Sequence, residues 1–128
     1  MKKLVAIALV LSLVLCLPAF ALADITIVQN KPEIDAALQA YAKEYTEKTG
    51  VNVKIITGGG STDYNTVLKN EFNSGSHPDI YAIEGFNQYE LYKEYAAPMN
   101  GAEWTKYTNA AYMDGDNVVG FPVAVEGY

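Results

Sequence analysis

The spacing of apolar positions changes along the chain, and each change marks an element. Leu4 to Cys16 form one apolar run, broken only by Ser12, behind Lys2 and Lys3. Ile25 to Val28 are a short β-branched block, which predicts a buried strand. From Pro32 to Thr49 the residues Ile34, Leu38, Tyr41, Ala42 and Tyr45 recur at three- and four-residue steps. That spacing predicts a helix with one inward face, opened by Pro32 and closed by Gly50 as a left-handed cap. Val51, Val53 and Ile55 alternate with Asn52 and Lys54, which predicts a second strand reaching Thr57.

Gly58 to Gly60 then break the pattern, and Ser61 or Thr62 is the expected N-cap of the next helix. That helix should run to about Asn73 and bury Tyr64, Val67, Leu68 and Phe72. Asp79 to Ile83 read as a third strand, and Phe86 to Ala96 as a third helix with Phe86, Tyr89, Tyr92 and Leu91 inward. Beyond Pro98, Trp104, Tyr107, Ala111 and Tyr112 fit a short helix. Asp114 to Asn117 form a turn, and Val118-Val119 and Phe121 to Val125 read as strands, with a hairpin to Tyr112-Met113.

Strands and helices alternate, with strands about thirty residues apart, so the fold class is α/β: a mostly parallel sheet with helices on both faces. Ligands of such sheets bind beyond the carboxyl ends of the strands, where strand order reverses. If the first strand lies between the second and third, three loops share that edge. They are Gln29 to Lys31, Gly58 to Asp63, and Glu84 to Asn87. These loops and their flanks offer the amides of Gln29, Asn30 and Asn87, the cation of Lys31, the carboxylates of Glu33, Asp63 and Glu84, and the rings of Tyr64 and Phe86. Sugar hydroxyls both donate and accept, so amides and carboxylates can pair with them, while the C–H face of a pyranose covers an aromatic ring.

Composition narrows the picture. Ala21-Leu22-Ala23 end the amino-terminal run with small residues, so residues 1–23 read as a secretory signal and 24–128 as the exported part. An uncleaved anchor is the alternative. Lipid attachment at Cys16 is not expected, since Leu15 precedes it; loss of the signal would remove the only cysteine. Removing Lys2 and Lys3 also takes the formal charge from −6 to −8. An acidic domain without a basic patch does not suit nucleic acid.

His77 is the sole histidine, so no metal site is expected, and no cofactor. Gly58 to Gly60 match neither nucleotide-binding glycine pattern. They suit a tight turn that lets a ligand approach the backbone closely, with a bare conformational turn as the alternative. No G-x-S-x-G elbow occurs and no catalytic residue is assigned, although Glu84 and Glu126 would supply the carboxylates of a glycoside hydrolase.

Three segments resemble the family 1 extracellular solute-binding proteins, a maltose-binding-protein-like group serving ABC importers. They are ITIVQNKPEIDAALQAYAKEYTEKTGVNVKI, TGGGSTDYNTVLKNEFNSGSHPDIYAIEGFNQYELYKEY and VVGFPVAVEGY. The resemblance implies a periplasmic-binding fold whose amino-terminal lobe is only partly covered, residues 24–128 standing for that lobe with the second lobe absent. It also implies an extracytoplasmic monomer that captures a sugar between lobes and hands it to a membrane permease; with the second lobe absent, residues 24–128 alone are expected to bind sugar weakly or not at all. By the same resemblance, Asn30-Lys31 and Glu84 to Asn87 match ligand-contacting loops. Glu126 matches a position whose carboxylate contacts sugar hydroxyls, with Tyr128 beside it. A polyamine, peptide or anion remains an alternative solute.

Overall fold

A computed structural model describes residues 24–124. The expected signal segment, Glu126 and Tyr128 lie outside the described residues. The chain divides into two compact units, one ending at Tyr81 and the other starting at Ala82.

The first unit is built on a three-stranded parallel sheet. Its strands are β1 (Ile25–Gln29), β2 (Val53–Thr57) and β3 (Ile80–Tyr81), in the order β2-β1-β3. β1 is therefore central, as the site argument requires. It pairs with β2 from Ile25↔Val53 to Gln29↔Thr57, and with β3 through Ile27↔Ile80 and Val28↔Tyr81. β3 is shorter than its β-branched sequence predicts. At its start the Asp79 carboxylate accepts the Thr26 N–H at 2.8 Å, while the Asp79 N–H reaches the Thr26 carbonyl at 2.9 Å. At its end the partner runs out, because β1 stops one residue past the Val28–Tyr81 pair.

Two helices cover opposite faces. Successive strand residues point to opposite sides, and Val28 and Gln29 are both buried. α1 (Asp35–Thr49) lies over the face carrying Gln29 and Thr57, because its Asp35 carboxylate receives the Thr57 hydroxyl. α2 (Tyr64–Asn73) lies over the face carrying Val28 and Tyr81, because Phe72 packs edge-on against Tyr81 at 5.2 Å. Leu68 and Val28 are fully enclosed and form the centre of this core.

Pro32 opens a 3-10 turn (Pro32–Ile34) that leads into α1, and Gly50 closes the helix at φ 77°. The inward stripe of α1 differs from the expected one. Ala42 is buried, with Leu38 and Thr46 half-buried in line with it, whereas Tyr41 and Tyr45 are exposed. Counting tyrosine as apolar misplaced the stripe: its hydroxyl lets the ring sit at water. Val67 is likewise only half-buried on α2. The N-cap of α2 is Asp63, whose carboxylate accepts the Thr66 N–H at 2.9 Å and the Thr66 hydroxyl at 2.6 Å. Ser61 and Thr62 instead belong to a tight turn, closed by Gly59 N–H to Thr62 O at 2.6 Å.

The second unit holds α3 (Phe86–Tyr92), 3-10 turns at Lys93–Tyr95 and Glu103–Tyr107, and a hairpin of β4 (Tyr112–Asp114) and β5 (Asn117–Gly120). The hairpin is the expected one, although Tyr112 lies in it and not in a helix. Tyr89 anchors α3 to it: the Tyr89 hydroxyl donates to the Asp114 carboxylate at 2.7 Å, and its ring meets Tyr112 at 5.3 Å. Asn100 braces the turn through Asp116 O at 2.9 Å and the Val118 N–H at 2.8 Å. Phe86 and Leu91, expected inward on α3, are exposed, and Gln88 is buried instead, where its amide oxygen accepts the Glu84 N–H at 2.7 Å. Residues 121–124 form no strand. Pro122 has no N–H to give a ladder, and Phe121 and Val123 are exposed.

Candidate functional site

The order β2-β1-β3 brings the carboxyl ends of all three strands to one edge of the first unit. Chain leaves that edge at Gln29, Thr57 and Tyr81. The loop after β1 carries Asn30 and Lys31, both half-buried, and leads to exposed Glu33 in the 3-10 turn. The loop after β2 carries Gly58 to Asp63.

The two loops are fastened together at the backbone. The Gly58 N–H donates to the Gln29 carbonyl at 2.9 Å, extending the ladder one step past the strands. Gly59 then passes close under the first loop at φ 103°. A Cβ there would lie 3.1 Å from the Asn30 carbonyl oxygen and 3.2 Å from Pro32 Cδ. Only glycine fits that approach without displacement. The close approach at Gly59 is thus one between two loops of the chain, whereas the sequence reading expects a ligand against that backbone.

A side-chain network lies directly behind the loops. The Gln29 amide nitrogen donates to the Thr57 hydroxyl at 2.7 Å, its amide oxygen accepts the Lys31 N–H at 2.6 Å, and the Thr57 hydroxyl donates to Asp35. Thr57 and Asp35 were not among the sequence candidates. An acidic residue in a first helical turn, with a polar residue closing the strand 22 positions later, is the only signal they left.

The remaining candidates fall into different roles. Tyr64 is a core residue, 3% exposed, with its hydroxyl donating to the Val28 carbonyl at 3.5 Å; it presents no ring to a ligand. Asp63 spends its carboxylate on the helix cap. The Thr66 hydroxyl bond, with the Thr66 N–H behind it, holds that carboxyl below its usual value of 3.8. In the second unit Glu84, Phe86 and Asn87 are exposed at the start of α3, and Phe86 shows 65% of its surface. Glu126 and Tyr128 lie outside the described residues. A shallow depression between α1 and β2, lined by Ala42, Lys43, Thr46, Glu47 and Val53, sits at the amino end of β2, the edge opposite the loops. Among the described residues no group of three His, Cys, Asp or Glu is placed to hold a metal ion, and no helix is long and apolar enough to cross a membrane.

Known proteins give this geometry its context. No curated protein matches the sequence. Among solved structures, apo RafE from Streptococcus pneumoniae shares the fold with a TM-score of 0.53 at 17% identity. The match covers 72% of this chain and 24% of that one, so the chain spans about a quarter of RafE's length. The sequence model for bacterial extracellular solute-binding proteins matches residues 29–125, which include both fastened loops and the whole sheet beyond the first strand. The chain belongs to the bacterial extracellular solute-binding protein family.

Proposed function

We propose that this chain supplies solute-binding surface to the extracytoplasmic receptor of an ABC-type importer, acting as a binding protein and not as an enzyme. The observation that carries the reading is the single sheet edge, where the loops after β1 and β2 lie fastened side by side. Open α/β sheets bind small molecules at such edges. Asn30, Lys31 and Glu33 supply an amide, a cation and a carboxylate along this wall.

We read the solute as a carbohydrate. The supporting feature lies in the second unit, where the exposed ring of Phe86 stands between exposed Glu84 and Asn87 in sequence. A sugar ring can cover such an aromatic face while its hydroxyls pair with carboxylate and amide. In family terms, the described residues correspond to part of one lobe, and the solute would be enclosed between that lobe and a second one by hinge closure. The partner would be a membrane permease.

Thermal-shift screening tests the solute class. The protein is heated with mono- and disaccharides, polyamines, short peptides and inorganic phosphate in parallel, and each hit is titrated by calorimetry. A carbohydrate that raises the melting temperature supports the reading. Stabilisation by a polyamine or phosphate alone transfers the assignment to that class.

A further inference from the structure

Hydrogen-bond chemistry fixes the direction of the network behind the loops. The Lys31 backbone N–H can only donate, so the Gln29 amide must turn its oxygen toward it. The Gln29 nitrogen is then committed to the Thr57 hydroxyl oxygen. That leaves the single Thr57 hydrogen for the Asp35 carboxylate. Every donor points one way, from the amide through the hydroxyl to the acid. Gln29 is 7% exposed, so its amide has little water to substitute for a lost partner. The same residue's carbonyl receives the Gly58 N–H at 2.9 Å. Gln29 therefore grips the loop after β1 with its side chain and the loop after β2 with its backbone.

We propose that Gln29, oriented by Thr57 and Asp35, is the positioning residue that fixes the Asn30-Lys31 loop in the shape that meets the solute. This rests on the solute-binding reading above. The relay touches no ligand itself. It sets the backbone from which Asn30 and Lys31 project, so that the loop is ordered before binding and the cost of ordering it is not charged to affinity. Asp35 enters from the first turn of α1, so the helix on that face and both loops are tied to one another at a single residue.

Amide hydrogen exchange on the full chain tests the inference without knowledge of the solute. Thr57→Val removes the hydroxyl, and Asp35→Ala removes the terminal acceptor from a half-buried position, providing a second variant if the first fails to fold. In either, exchange at the Lys31 amide should rise about tenfold, as expected for loss of a well-made, part-buried bond. Exchange at Leu68 should not change beyond the shift in global stability. Thr57→Ser restores the hydroxyl and should restore protection at Lys31. An unchanged Lys31 rate in both disrupting variants, or no rescue by Thr57→Ser, overturns the proposal. If a sugar binds the parent protein, the Thr57→Val variant should bind it about tenfold more weakly and the Thr57→Ser variant equally well. Loss of Lys31 protection with equal affinity in all three also overturns it. Absence of binding to any sugar in the parent would count against the solute assignment alone, since the exchange result still decides whether Gln29 orders the loop.

Discussion

Gly59 lies where the two loops of the candidate wall touch, and alanine there should be costly for two separable reasons. The first is conformational. At φ 103° an L-residue sits in backbone space that glycine alone visits freely, at a penalty of about 1–2 kcal/mol. The second is crowding. The new methyl would stand 3.1 Å from the Asn30 carbonyl oxygen and 3.2 Å from Pro32 Cδ. Neither neighbour is the free end of a flexible side chain, so the loop after β1 must shift, adding about 1 kcal/mol or more.

The expected total is about 2–3 kcal/mol, and each kcal/mol moves the melting temperature by roughly 4–8 °C in a domain of this size. Gly75 separates the two terms, because it also has positive φ, 79°, but nothing lies within 4 Å of its Cβ position. Thermal and urea unfolding followed by circular dichroism should therefore show Gly59→Ala less stable than Gly75→Ala. Equal destabilisation of the two would refute the close approach on which the fastened loops depend.

Acid and alkali should each report on one carboxylate contact. Because Thr66 lowers the Asp63 pKa, the cap contributes fully above the unfolded value of 3.8, and its contribution is lost as pH falls through the lowered folded value. Asp63→Asn should flatten that part of the acid profile in pH-dependent unfolding while keeping α2 folded. Tyr89 behaves oppositely. Its hydrogen bond to Asp114, aided by burial, pushes its pKa from 10.0 up to about 12. The pair thus contributes fully below pH 10, and its contribution is lost between pH 10 and about 12, as the unfolded phenol ionises before the folded one. Ultraviolet titration should show late-ionising tyrosine, of which the Tyr89 part returns toward 10 in Asp114→Asn while that of Tyr81, raised by burial, stays.

The α/β order and the hairpin were legible because they follow from period-two and period-four spacing and from turn residues, whereas the central place of β1 entered only as a condition, since spacing along one chain does not order strands in a sheet. Side-chain direction was harder to read wherever tyrosine and phenylalanine were counted as plainly apolar. Tyr41, Tyr45 and Phe86 face water, while the polar Gln88 is buried because it has a backbone N–H to accept. The Asn30-Lys31 loop and the glycine turn were found from their place after strands. Tyr64 follows such a loop, yet it opens the inward face of α2 and its ring is buried. Thr57 and Asp35 escaped because they are 22 positions apart. No local spacing joins a strand end to a helix start across a sheet.

Residue-resolved titration of the isotope-labelled protein with the best-stabilising sugar tests the central claim most directly. Amide shifts should be largest at Asn30 and Lys31 and across Gly58 to Asp63 within the first unit, growing with sugar concentration toward saturation. Shifts gathered instead around Lys43, Asn52 and Val53, at the other end of the strands, would contradict the assignment of the solute to the carboxyl edge of the sheet.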